Sequence, residues 1–110
     1  MSEKIKFTKS TGNVFADMGF KNAKEKFVKA ELALRINQII NKRQLKQIEA
    51  AKILRVTQPK ISAISNGRLS DFSIEKLIEF LNKLDQDVEI VIHEKPKSIK
   101  RPAYFTVAFA

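Results

Sequence analysis

Over residues 23–41 apolar side chains recur three and four apart: Phe27, Ala30 and Leu34, then Leu32, Ile36, Ile39 and Ile40, with no glycine or proline among them. That spacing predicts one long helix. Leu45, Ile48, Ala51 and Leu54 fall three apart and predict a second, shorter helix over 45–54, with these four facing inward. The next stretch, "VTQPKISAISNG" (56–67), is ambiguous by itself. Asn66-Gly67 is a strong hairpin signal. A helix competes, with Thr57 as N-cap, Pro59 in the first turn and Gly67 as a left-handed stop. The neighbours decide. With helices on either side a strand here has nothing to pair with, so a helix over 58–66 is predicted, with Ile61 and Ile64 inward.

"RLSDF" (68–72) then connects to a helix capped by Ser73. Phe72 before the cap and Leu77 inside form the pattern of a hydrophobic staple. Ile74, Leu77, Ile78, Leu81 and Leu84 give its buried stripe, ending near Asp85. The period changes to two in "DVEIVIHE" (87–94), with Val88, Ile90 and Ile92 on one face, which predicts a strand. "KPKSIKRP" (95–102) is a basic linker with two prolines, and "AYFTVAFA" (103–110) alternates again. At the other end, "GNVFADMGF" (12–20) carries Val14, Phe15, Met18 and Phe20 in a piece too short and glycine-punctuated for a regular element. No internal repeat is evident. The chain divides into an arm (1–22), a mainly α domain of four or five helices with a C-terminal strand (23–94), and a linker with an apolar tail (95–110).

Length and charge narrow the function. A chain of 110 residues is one domain, able to bury about 65% of its unfolded surface. Twenty-one basic against twelve acidic residues give a net charge of +9, which favours a polyanionic partner. The absence of cysteine and the single His93 remove thiolate nucleophiles, disulfides and the usual zinc sites. No cofactor is implied. No apolar run approaches the ~18 residues of a membrane span, and the first residues lack a signal-peptide pattern. A soluble cytoplasmic protein is expected.

The helices over 45–54 and 58–66, joined by a turn of three or four residues, have the spacing of a helix-turn-helix. Ala51 is small where two helices must cross closely, Val56 plugs the turn, and Ile61 and Ile64 pin the second helix to the core. Gln58, Lys60, Ser62 and Ala63 are left to point outward beside Thr57. Such a surface suits the major groove: Gln pairs with adenine, Lys with guanine, Ser with several acceptors, and Ala with a thymine methyl.

These residues carry a family resemblance. "QIEAAKILRVTQPKISAISNGR" (47–68) resembles the helix-turn-helix of Xre-type, lambda-repressor-like regulators. The likeness extends over about 14–93, where "NVFADMGF", "AELALRI", "EAA" and "TQPKIS", the "FS" before the last helix and a final strand are similar to short Xre-type proteins paired with RelE/HigB-type toxins. It implies a lambda-repressor-like fold and no enzyme activity. It also implies a sequence-specific transcriptional regulator that serves as antitoxin and autorepressor, a homodimer on double-stranded DNA with a palindromic operator. Thr57, Gln58, Lys60, Ser62 and Ala63 would read bases, and Arg43, Gln47, Asn66 and Arg68 would hold phosphates. Val14, Phe15, Met18 and Phe20 would form the toxin-binding arm. Val88, Ile90 and Ile92 are expected to be the dimer strand on a separate ground: a lone strand cannot satisfy its own backbone and needs its twin, or 103–110 folded back, to pair with. Two positions depart from the pattern. Arg55 stands where glycine is usual in the turn, and Lys46 where Ser or Thr usually caps the first helix of the unit.

Other readings explain less. A stand-alone Xre-type repressor would lack the toxin. A small basic ribonuclease needs acid–base groups placed together, whereas His93 is alone on a strand and Asp71, Asp85 and Asp87 sit at helix boundaries. An architectural DNA-binding protein would show no base preference. A membrane-surface helix would line its basic residues along one face, and here they are spread.

Overall fold

The computed structural model of the protein describes residues 20–110, with side chains from Asn22 onward. Four helices follow one another: α1 (Phe20–Lys42), α2 (Gln47–Leu54), α3 (Gln58–Ser65) and α4 (Ile74–Lys83). α1 packs against α3 and α4, and α2 against α3 and α4. Residues 58–65 are therefore helical, and the hairpin alternative for 56–67 falls away.

The core gathers Val28, Leu32, Ile36 and Ile40 from α1, Ala50, Ala51 and Leu54 from α2, Ile61 and Ile64 from α3, and Leu77, Phe80 and Leu81 from α4. Phe72 meets Phe80 edge to face, with ring centroids 5.9 Å apart. Two details differ from the sequence pattern. Phe27 and Leu34 are more than half exposed and Ala30 is exposed. At 100° per residue they lie on the side of α1 opposite Leu32 and Ile36, so the two apolar stripes are two faces, of which one is buried. Ile48 is likewise half exposed while Ala50 is fully buried. Steps of three turn a helix by 300°, so a run at 45, 48, 51 and 54 drifts half-way round its axis and cannot share one face.

One device ends all four helices. Gln44, Arg55, Gly67 and Asp85 each take the left-handed conformation, with φ of 57°, 59°, 75° and 64°. The amide that follows each of them returns to a carbonyl of the last turn: Leu45 to Ile40, Val56 to Ala51, Arg68 to Ala63 and Gln86 to Leu81, at 2.8–3.0 Å. These are Schellman closures, which satisfy carbonyls the helix leaves open. Arg55 thus adopts the left-handed geometry its position demands instead of reshaping the turn.

The C-terminal part corrects an expectation. No strand is formed among the described residues, 87–94 included. Val88, Ile90, Val91 and Ile92 remain exposed, Ile90 at 78% and Ile92 at 91%. The alternating pattern is present, yet a strand requires a neighbour to accept its backbone bonds, and no described segment of this chain supplies one. The tail beyond the linker lies instead along α1. Lys24 stands over the rings of Tyr104 and Phe105, Arg35 over Phe109, and Val107 packs against the core. Burial, with the charge of Arg101 nearby, holds the Lys24 ammonium below the usual lysine value. No helix among the described residues is long and apolar enough to cross a membrane.

Candidate nucleic-acid interface

α3 is held from below and at its C-terminal end. Ile61 and Ile64 are buried beneath it. Asn37 of α1 donates from Nδ2 to the Ile64 carbonyl at 3.2 Å, tying the end of α3 to the long helix. Gly67, with nothing within 4 Å of where a Cβ would stand, supplies the left-handed stop. A rigid platform of this kind positions side chains better than a loop does. On its outer side Thr57, Gln58 and Lys60 are exposed and Ser62 is half-buried. Lys60 extends toward the ring of Phe72, 5.8 Å from its centroid. Ala63 is half-buried and packed against the core, so its methyl serves the fold as well as the surface.

The helix starts differ in a way that bears on anions. Ser73 caps α4 in the ordinary manner, accepting from the Lys76 amide at 3.0 Å. Thr57 occupies the N-cap position of α3 with extended backbone, but its hydroxyl makes no capping bond. At α2 the Lys46 amide donates to the Glu49 carboxylate at 2.7 Å. The Lys46 side chain offers no acceptor in return, so the cap that sequence leaves in doubt is only half made. Apart from the Lys46 amide, the first amides of α2 and α3 thus have no cap from the N-cap side chain, and amides so placed donate to phosphate oxygens. Gln47 is exposed at the first of these starts. Between it and α3 runs a cleft of about 200 Å³, lined also by Asn37, Asn41 and Ser65 over Ile40, Leu45 and Ile61.

The remaining phosphate candidates are placed unequally. Arg68 is exposed directly after α3. Asn66 donates from Nδ2 to the Ser62 carbonyl at 2.9 Å and to its hydroxyl at 3.3 Å, so it finishes α3. Arg43 donates from Nη2 to the Leu84 carbonyl at 2.7 Å, closing the end of α4. Lys83 does the same for α2, reaching the Leu54 carbonyl at 3.3 Å. Asn37, Arg43 and Lys83 are polar bolts between helices that the hydrophobic pattern does not reveal. Only Asn37 leaves a trace, as a polar residue four positions from buried Ala33. Of the arm, Phe20 opens α1, and Val14, Phe15 and Met18 lie outside the described residues. Among the described residues no group of three His, Asp or Glu side chains could hold a metal ion.

A family model described as "Helix-turn-helix domain" matches residues 14–93. A solved structure titled "Putative XRE Family Transcriptional Regulator" is 45% identical to the chain, with a TM-score of 0.77, over 81% of this chain and 99% of the other. No curated protein matches. A platform helix braced by a second helix across a left-handed turn, a model spanning most of the chain and a relative this similar lead to one conclusion: the chain belongs to the helix-turn-helix domain family, in its Xre branch.

Proposed function

We propose that the protein is a sequence-specific, DNA-binding transcriptional regulator that lays α3 into the major groove. The observation that carries the reading is the outward set Thr57, Gln58 and Lys60 on a helix braced by Ile61, Ile64 and the Asn37 bond. The net charge of +9 supplies the sequence-independent attraction. Gln58, Lys60 and Ser62 read base edges with Thr57 and Ala63 beside them, while Gln47, Arg68 and the open starts of α2 and α3 meet phosphates. Asn66 and Arg43 contribute by shaping the surface, through the ends of α3 and α4. One recognition helix covers a half-site, so the protein acts as a two-fold dimer on a palindromic operator.

Titration against a selected operator and against random duplex, at several salt concentrations, tests this. If each protomer neutralises ~3–4 phosphates, the log–log slope is about −5 to −7 for a dimer, and a slope near zero refutes DNA binding. Gln58→Ala and Lys60→Ala each cost about 1–3 kcal/mol on the operator and relax base choice, whereas Arg68→Ala weakens all sequences alike. Equal losses on both DNAs in all three variants would remove α3 from base reading.

The likeness of 14–93 to short toxin-paired regulators supports a narrower role, that of antitoxin and autorepressor for a RelE/HigB-type toxin in the cytoplasm. Simultaneous repression and neutralisation need separate surfaces. The apolar arm Val14, Phe15, Met18 and Phe20 lies outside the 43–68 region in sequence and would bind the toxin, with ordering entropy offset by apolar burial.

A further inference from the structure

The linker and tail carry a chemistry that the helix-turn-helix does not use. Residues 95–110 hold four cationic side chains and no carboxylate side chain, and three aromatic rings follow the cations. The rings are fixed in place. Lys24 stands 4.3 Å from the centroid of Tyr104 and 5.7 Å from that of Phe105. Arg35 stands 5.0 Å from the centroid of Phe109, and Val107 between them packs against the core. Lys24 and Arg35 are eleven residues apart, about 16 Å along a helix. Tyr104 and Phe109 are five apart, about 16 Å along an extended chain. The tail therefore lies extended beside α1 and runs in its direction. Tyr104, Phe105 and Phe109 nevertheless stay about half exposed. In the linker, Lys95 donates to the carbonyls of Pro96 and Ile99 at 3.3 and 2.7 Å, which closes a turn. Lys97, Lys100 and Arg101 are left exposed, with Arg101 4.4 Å from the Tyr104 centroid.

We propose that this surface is a second nucleic-acid site, one that takes a single-stranded polynucleotide. Exposed rings beside exposed cations are what an unpaired strand requires, since bases stack on aromatic faces while phosphates track the positive charge. A duplex offers no splayed base to such rings, so the surface discriminates against it. A purely apolar partner would cover the rings and leave Lys97, Lys100 and Arg101 unmatched. Arg101 suits both halves of the ligand, because a guanidinium plane stacks on bases and also meets phosphate. The acids nearest in sequence are Glu31, one turn before Arg35, and Glu94, before Lys95. Arg35, Lys97, Lys100 and Arg101 outnumber them. The site also stands apart from α3. Asn37, which ties α1 to α3, and Arg35, which stands over Phe109, project about 200° apart around α1. A duplex on α3 and a single strand on the tail therefore occupy opposite flanks of one helix, and the inference does not depend on the regulator reading.

Fluorescence anisotropy of the full chain with labelled oligo-dT and oligo-U of equal length tests this, with a duplex and heparin as the comparison polyanions. Tyr104→Ala and Phe109→Ala should each weaken single-strand binding by about 5- to 150-fold. Duplex and heparin affinities should stay within about twofold. Tyr104→Phe keeps the ring and should bind as the wild type does. Lys97→Gln with Lys100→Gln should reduce the log–log salt slope on a single strand by about 1.4. All of these variants leave Val107 in place, so the tail keeps its core contact. A second readout needs no variant. The chain has one tyrosine and no tryptophan, so its intrinsic fluorescence reports Tyr104 alone. Oligo-U or oligo-dT should quench it and heparin should not. Ring dependence on either strand supports the proposal, and the tighter strand gives the class of ligand. Unchanged single-strand affinity in both alanine variants overturns the site, as does an unquenched Tyr104. Equal losses on heparin and on the single strands also overturn it, because stacking is then not involved. Larger single-strand losses in Gln58→Ala and Lys60→Ala than in the tail variants would move strand binding to α3 and overturn it as well. Operator titration is read separately, so its failure counts against the regulator reading and not against this site.

Discussion

All four helices close through a left-handed residue, and at only one of the four is it glycine. Arg55→Gly is therefore an informative perturbation of the helix-turn-helix itself. An L-residue in that region places its Cβ against the following carbonyl, at about 1–2 kcal/mol. Glycine removes the clash but enlarges the freedom of the unfolded chain, which costs about 0.5–1 kcal/mol. The Arg55 side chain is exposed and its truncation leaves no cavity. The bonds around it, from the Val56 amide to the Ala51 carbonyl and from the Lys83 ammonium to the Leu54 carbonyl, do not involve its side chain. The net expectation is a gain of about 0.5–1 kcal/mol, or roughly 2–8 °C in melting temperature for a domain of this size. Gln44→Gly should behave alike, since Gln44 is exposed at φ 57°. Asp85→Gly should gain less, because a short polar side chain tolerates this region better. Gly67→Ala is the mirror image. It meets no atom within 4 Å, so it should lose about 0.5–1 kcal/mol through backbone strain alone. Urea unfolding followed by far-ultraviolet circular dichroism measures all four. An Arg55→Gly loss above about 0.5 kcal/mol, with an unchanged denaturant slope, would refute the strain argument.

Ser73→Ala should cost about 1 kcal/mol by freeing the Lys76 amide, measured in the same unfolding assay. Leu77→Ala, at a fully buried position between the helices, should cost about 2–5 kcal/mol. Lys24 has its pKa lowered by folding, so its penalty is full below the folded value and vanishes above the unfolded value of 10.5. Wild type should therefore gain stability relative to Lys24→Gln as pH rises toward 10.5, and a difference that falls with pH would reverse the assignment. Deleting residues 1–20 should abolish toxin neutralisation while holding operator affinity within about tenfold. Intact neutralisation by a folded deletion variant would remove the arm from that role.

What the sequence made legible follows physical locality. The helix-turn-helix was readable because its determinants lie within a few residues of one another: Thr57 at the start of α3, Ile61 and Ile64 beneath it, and Gly67 after it. Ser73 and Phe72 announced α4 for the same reason. Errors appeared where a pattern had to be projected onto a surface. Phe27, Ala30 and Leu34 have helical spacing as regular as that of Leu32, Ile36 and Ile40, and only tertiary packing distinguishes the buried face from the bare one. Phe80 was missed although it is fully buried, because Ile78 and Leu81 already completed a plausible stripe. The bolts from Asn37, Arg43 and Lys83 span 27, 41 and 29 residues, a distance that periodicity cannot see.

The segment 87–94 is a different kind of case, since there the local signal was clear and the element did not form. A helix satisfies its own backbone within one segment, so its formation can be inferred from that segment. A strand makes no ladder bonds within itself and draws all of them from a neighbouring segment. Val88, Ile90 and Ile92 therefore encode a requirement and not a structure, and the described chain leaves that requirement unmet while placing its other apolar tail against α1. The same argument covers Phe27 and Leu34, whose exposed face shares α1 with Tyr104, Phe105 and Phe109. In a protein whose core is already complete with Leu54, Leu77 and Phe80, apolar residues that remain outside it gain by burial only against something beyond the described residues. Their positions separate the surfaces in sequence. In the proposed reading base contacts fall to 57–63, with the start of α2 beside them, while the exposed run 88–92 lies beyond α4 and Phe27 and Leu34 lie on the outer face of α1.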